Sequence, residues 1–374
     1  MEYLWRHVKD SFLMGEGEKV RREDPKKSKT GNKLKQEKAC PVFEKNKEEQ
    51  GITDKRFGSG LMADDFKFGE EIDEKQKVFG SSINRDEINI ITFSDKMDEV
   101  FDGAWDVSSN RNGSVMAYIR EICGLTELVI AGKNGICANE NCSQLFAEYE
   151  NLLQINFNGV FDTSRVTNMH SMFNGCYRLK NLNVSKFDTN RVTDMSWMFV
   201  DCEQIDQLDL SGFDTSQVTN MEYMFKGCEQ LKKIDLSGFD TRQVNDMRFM
   251  FRNCKRLKEL DVNGFNTSRV TNMGCMFGGC KQLRQLDLSG FDTSQVTDMR
   301  FMFGECRQLR RLNVSGFDTS QVTDIQYMFK GCEQLEKLDL SGFDISKVRN
   351  KYYMFGDCRK LSVCVPVGWL QNLR

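Results

Sequence analysis

Residues 283–306 read LRQLDLSGFDTSQVTDMRFMFGEC, and the same pattern returns along more than half the chain. The string FDTSxVTxM is headed by Phe161, Phe187, Phe213, Phe239, Phe265, Phe291, Phe317 and Phe343, each step being 26 residues with no insertion. Cys176, Cys202, Cys228, Cys254, Cys280, Cys306, Cys332 and Cys358 keep that step, as do the Met-Phe pairs from Met172-Phe173 to Met354-Phe355. One repeating unit therefore accounts for eight of the 14 cysteines and much of the excess of 28 Phe and 19 Met.

Within one unit, Leu286 and Leu288 alternate around Asp287, which predicts a short strand with leucines inward. Ser289-Gly290 ends that strand at a place needing a small or positive-φ residue. Asp292-Thr293-Ser294 supplies acceptors for a helix start. Val296, Met299, Met302, Phe303 and Cys306 follow at offsets expected of one face of a short helix or successive 3₁₀ turns. A unit this small cannot bury its own apolar face, but stacked units can. The expectation is an α/β solenoid, a leucine-rich-repeat superhelix with one short parallel strand and one short helix per 26-residue repeat, preceded by a small β-rich N-terminal cap.

The 374 residues divide on this reading into four parts. Residues 1–75, dense in Lys and Glu with KKSKTGNKLKQEK, predict a disordered charged leader with a short amphipathic helix at Tyr3 to Leu13. Residues 76–141 carry INIITF, GSVMAYIREI and LTELVIAG between turn-forming residues and predict the β-rich cap. Residues 142–365 form the repeat array, beginning with a degenerate copy (Leu145-Phe146, Tyr149, Leu152, Ile155, Phe157). Residues 366–374 are a tail, and Pro366 is expected to close the edge strand because it cannot donate a ladder hydrogen bond.

The composite MFxGCxxLxxLDLSGFDTSxVTxM resembles the repeat of the BspA-type leucine-rich-repeat bacterial surface proteins of oral, gut and mycoplasma-like bacteria. WDVSSNRNGSVMAYI (Trp105 to Ile119) and IAGKNGICANENCSQLF (Ile130 to Phe146) are similar to the capping segment before such repeats. The likeness covers roughly residues 78–365. It implies a non-enzymatic binding scaffold, surface-displayed or secreted, used in adhesion or host interaction. The sequence shows no signal peptide or anchor, so the alternative is an intracellular interaction scaffold or a module of a larger protein.

Charge and motif content narrow the function. A formal net charge of -3 leaves no whole-chain basic footprint, so nucleic acid is not the expected partner. No run of 18 apolar residues predicts a membrane span. Only two histidines occur, and no phosphate loop, nucleophile elbow or HExxH is present, so no enzyme, catalytic residue or cofactor is expected. Cys137-x4-Cys142 lacks a second close pair or His, and no metal site is expected. The ladder cysteines are expected to be reduced and inward.

Two outward columns are candidates for contact. Asn183, Asp209, Asp235, Asp261, Asp287, Asn313 and Asp339 sit between strand leucines. They could invite a cation or be neutralised by Lys233, Lys258, Arg284 and Arg310. Between the inward methionines stand Ser171, Trp197, Tyr223, Phe249, Cys275, Phe301, Tyr327 and Tyr353, about 150° from the inward face at helical pitch. These rings could shield the core rim or meet a partner. The binding reading selects Trp197, Tyr223, Phe249, Phe301, Tyr327 and Tyr353, with Arg248 and Arg300 beside them. It places them in two strips interrupted at Cys275, suited to a protein or cell-surface ligand or to self-association.

Overall fold

The computed structural model describes residues 77–97 and 103–365. The chain separates into two units, 1–49 and 50–374, and the first lies outside the described residues, as do the expected leader helix at Tyr3 to Leu13 and Pro366.

The second unit opens with β1 (Ile90–Ser94), β2 (Trp105–Asp106), β3 (Val115–Ile122), β4 (Leu125–Gly132) and β5 (Ile136–Cys137). The repeats follow with β6 (Gln154–Asn156), β7 (Phe161–Asp162), β8 (Asn181–Leu182), β9 (Gln285–Asp287), β10 (Arg311–Asn313), β11 (Lys337–Asp339) and β12 (Ser362–Cys364). One six-stranded sheet runs in the order β2-β3-β4-β1-β6-β8, so the opening strands and the first rungs share hydrogen bonds. Strands β3 and β4 are antiparallel, while β1, β6 and β8 pair in parallel. Further pairs, β9 with β10 and β11 with β12, are also parallel. Arg85, 3% exposed, joins this region to the first rung: its guanidinium donates to the carbonyls of Gln144 at 3.1 Å and Ala147 at 2.8 Å. The Ala147 carbonyl lies in the first rung, where no earlier rung supplies the amide that the matching Asn174 and Val200 carbonyls accept, and an unpaired buried carbonyl is costly. The residues of the degenerate first copy, from Leu145 to Phe157, are buried with the rest of the core.

The helix of every repeat does not form. Among the described residues there is no α-helix, and one 3₁₀ turn, Arg85–Glu87, lies before the repeats. The segment expected to be helical is a chain of turns whose amides alternate between two tasks. Met299, Phe301, Phe303 and Glu305 donate to the carbonyls of Asp324, Gln326, Met328 and Lys330 in the next rung, at 2.6–2.9 Å. Met302, Gly304 and Cys306 donate back three residues within their own rung. The turn at Phe301 requires φ of +52° and that at Glu305 +59°.

The physical reason is width. Phe303 and Phe329 stack in this segment with ring centroids 5.5 Å apart. An α-helix needs about 10–12 Å, so a helix per rung cannot fit the spacing. Inward residues at offsets 0, 3, 6, 7 and 10 suit this turn ribbon as well as a helix.

The strands also fall short of one per repeat: among the described residues none is formed around Leu208, Ile234 or Leu260. What fastens every rung is the turn side. Parallel bridges link Asn141, Asn168, Asp194, Asn220, Asp246, Asn272, Asp298, Asp324 and Asn350 in sequence.

Side chains repeat this logic. Phe173, Phe199, Phe225, Phe251, Phe277, Phe303, Phe329 and the half-buried Phe355 form a column, each ring stacked on the next at 5.5–5.8 Å. The cysteine thiols donate backward: Cys254 to the Phe225 carbonyl at 3.2 Å, Cys280 to Phe251 at 3.1 Å, and so for each rung. Burial holds these thiols protonated, pushing Cys280 up to about 12. They are free, and all eight are buried except the half-buried Cys358.

The residues expected to cap a helix do other work. Asp292 accepts the Ser294 amide at 3.0 Å, a local turn. The Thr beside it reaches the next rung. Thr241 Oγ1 donates to the Asn266 carbonyl at 2.9 Å and accepts the Asn266 amide at 2.8 Å. In the last copy of the FDTS string Ile345 stands in this place. Gly212, just after Leu210 and Ser211, is needed for closeness, since a Cβ there would lie 2.7 Å from the Ser185 carbonyl oxygen.

Candidate functional site

The turn ribbon places one residue of each rung at the outer edge with positive φ: Ser171, Trp197, Tyr223, Phe249, Cys275, Phe301, Tyr327 and Tyr353, at +50° to +61°. A bulky side chain there is strained, because its Cβ crowds its own backbone. All eight positions of the expected column therefore lie on one edge.

The rings do not behave alike. Trp197 stacks on Tyr223 with centroids 4.2 Å apart, and Tyr223 on Phe249 at 4.3 Å. Their faces are consumed by one another. Burial of the Tyr223 phenol in this stack pushes it up to about 12. Phe301 instead lies down. Its ring carbons would be 2.7–2.8 Å from a Cβ at Gly278 or Gly304, so it occupies the space those glycines leave open. It meets Tyr327 edge-on at 6.5 Å. Tyr327 then contacts Tyr352 and Tyr353, which are each 57% exposed.

The interruption at Cys275 is filled. Arg252 is 8% exposed, and its guanidinium carbon lies 5.2 Å from the Phe249 centroid and 5.5 Å from the Phe301 centroid. One of its nitrogens is 3.6 Å from the Cys275 sulfur. The two expected strips are joined by this cation into one column. Sequence reasoning missed Arg252 because its position varies from rung to rung: Asn174, Val200, Lys226, Arg252, Gly278, Gly304, Lys330 and Gly356. The available signal was the pairing of a missing ring at Cys275 with a long cation on one side and glycine on the other.

Arg248 and Arg300, expected beside the rings, are held by carboxylates. Arg248 pairs with Glu222 and with Asp246 at 3.3 Å, and Arg300 with Asp298 at 3.1 Å. Burial raises Asp246 to about 6. Glu222 also accepts the Trp197 indole N–H at 3.3 Å. In the bridge column, Asp194, Asp246 and Asp298 alternate with Asn168, Asn220 and Asn272, but Asp324 follows Asp298 on the next rung, and burial together with that neighbour raises Asp298.

The acidic column turns back on its own chain. Asp209, Asp235, Asp287 and Asp339 each accept the amide of the serine two residues on, at 2.9–3.0 Å. These bonds lower the Asp235, Asp287 and Asp339 carboxylates below their usual range. A depression of about 590 Å³ lined by Asn183, Asp206, Asp209, Lys232, Lys233 and Asp235 opens beside them. Among the described residues no group of three His, Cys, Asp or Glu side chains is placed to hold a metal ion. No helix among them is long and apolar enough to cross a membrane.

No curated protein and no solved structure matches the chain. A family model described as "Mycoplasma protein of unknown function, DUF285" matches residues 140–260, 230–312 and 286–366. These matches cover the repeat array and more than half of the sequence, and the chain belongs to this repeat family.

Proposed function

We propose that the chain is a non-enzymatic binding scaffold that presents the edge of its aromatic column to a protein partner. One observation carries the reading. Large rings occupy left-handed backbone positions that cost them strain, while Ser171 and Cys275 make the same turn without a ring. The turn does not need the rings, so their presence calls for another use. Because Trp197, Tyr223 and Phe249 cover each other's faces, the partner meets ring edges across several rungs, with Tyr352 and Tyr353 as the most open rings. Rigid aromatic anchors of this kind dominate binding energy in protein interfaces. The resemblance of the repeat to the BspA-type proteins supports the same use. The repeated aspartates support a non-enzymatic reading, since backbone amides of their own turns already engage them.

The test is the triple change Tyr223→Ser, Phe249→Ser and Phe301→Ser, using the side chain Ser171 already carries in this turn. Thermal melting and capture of partners from host-cell or bacterial lysate by the immobilised chain are measured together. Lost capture at a temperature well below the melting of both proteins is the expected result, with some fall in melting temperature because Arg252 loses its two rings. Intact capture with a lowered melting temperature would show that the rings serve the fold.

A further inference from the structure

The residues after each ladder cysteine form a second exposed column, and its charge is segregated. The first four residues after Cys202 read EQID, and those after Cys332 read EQLE. Between them, the five residues after Cys228 read EQLKK, and three successive rungs then read KRLKE after Cys254, KQLRQ after Cys280 and RQLRR after Cys306. Lys255 pairs with Glu229, and Arg307 with Glu305. Arg256, Lys258, Lys281, Arg284, Arg310 and Arg311 have no ion pair among the described residues, and all but the half-buried Lys281 are exposed.

The backbone sets these cations directly over one another. The Arg284 amide donates to the Lys258 carbonyl at 3.4 Å and the Arg310 amide to the Arg284 carbonyl at 2.9 Å. Phe251, Phe277 and Phe303 in the same rungs are 5.8 Å apart, which is the step between these rungs. That is shorter than the Debye length of about 8 Å at physiological salt, so the cations repel each other in the free protein. In a chain of net charge -3, such a concentration creates a local field that draws a polyanion.

We infer that Arg256, Lys258, Lys281, Arg284, Arg310 and Arg311 form a binding surface for a linear acidic polysaccharide bearing sulfate or carboxylate groups. The chemistry around the cations favours a polysaccharide. Gln282, Gln285, Gln308 and Asn313 are exposed amides beside the charges and suit sugar hydroxyls. Asp261 and Asp287 face outward nearby and oppose a densely charged phosphate backbone. The faces of Trp197, Tyr223 and Phe249, on which bases would stack, are covered by one another, beyond the cysteine corner of each rung. This surface is separate from the ring edge, and its test is independent of the partner proposed above.

The full chain is titrated with a heparin oligosaccharide of defined length, a polyuronate, neutral dextran and single-stranded RNA. Two charge-reversal variants of equal net charge are compared. One carries Lys258→Glu, Arg284→Glu and Arg310→Glu; the other carries Lys133→Glu, Arg191→Glu and Arg349→Glu, exposed sites away from the column. Heparin or polyuronate binding should fall about tenfold or more in the first variant and stay near wild type in the second, weakening with added salt. Melting curves of both variants are expected to overlay the wild type. Equal losses in the two variants, or no binding of either acidic polysaccharide by the wild type, would overturn the inference. So would tighter binding of RNA, or self-association lost only in the first variant.

Discussion

Arg252 lies with its guanidinium carbon 5.5 Å from the ring centroid of Phe301, across a rung that offers Cys275 where its neighbours offer a ring. The cation takes the place of the missing aromatic and keeps the outer edge continuous. Replacing it should therefore cost more than an exposed arginine would. Arg252→Ala is expected to lower stability by about 2 kcal/mol, through a desolvated cation–π contact and lost packing. Cys275→Phe alone should also destabilise, because two groups then compete for one gap. In the Arg252→Ala background the same Phe should recover stability. Denaturant unfolding of the four proteins checks this; additive losses would remove the claim that Arg252 fills the column.

The threonine column predicts a contrast between interior and terminal rungs. Thr241→Val removes a hydroxyl that serves both the amide and the carbonyl of Asn266 in a site 1% exposed. The loss should be about 1–3 kcal/mol, since a buried pair is left unsatisfied. Ile345→Thr adds the hydroxyl in the last copy of the string, where the position is half-buried, and should change stability little.

Much of this architecture is legible in the amino-acid sequence. The 26-residue step, the inward Leu, Met, Phe and Cys, and the first degenerate copy follow from periodicity, because a stacked core must repeat its contacts. The turn ribbon is not legible there. Val296, Met299, Met302, Phe303 and Cys306 point inward in either conformation, and which carbonyl accepts the Phe301 amide leaves no mark on residue spacing. Rung thickness, set by the stacked phenylalanines, decides against the helix. At the ring column the positions can be read but the roles cannot. Arg248 finds Glu222 across a rung, while Arg252 finds Phe301, and both contacts depend on stacking register.

Thiol chemistry should divide the cysteines sharply. Cys123 and Cys364 are exposed and should label first in the native protein. Cys176 to Cys332 are buried, and burial raises their thiols far above the reactive range. They should label only on unfolding. Mass spectrometry of labelled peptides at mild alkaline pH gives the reading; fast labelling at two or more ladder positions would reverse it.

Stability should also depend on pH through Glu148, whose carboxyl burial lifts to about 7 from 4.5. With the folded value above the unfolded one, the native state holds a proton that the unfolded state has released. Stability from this group is complete below about 4.5 and is lost as pH rises through about 7. Glu148→Gln should flatten that fall in denaturant midpoints measured from pH 4.5 to 8, provided the Asn174 contact at 3.3 Å is kept.

The central claim is that each repeat is a helix-free turn ribbon whose alternate amides bond the following rung. Residue-resolved amide hydrogen exchange with far-UV circular dichroism tests it most directly. No helical minimum is expected in the spectrum. An amide-to-ester replacement at Cys275, which removes the N–H donated to Arg300 and still allows the φ of +58° that this turn requires, is expected to loosen exchange in the rungs on both sides of that bond. A strong helical spectrum, with Val296 to Cys306 protected as an independent block insensitive to the neighbouring rung, would contradict it.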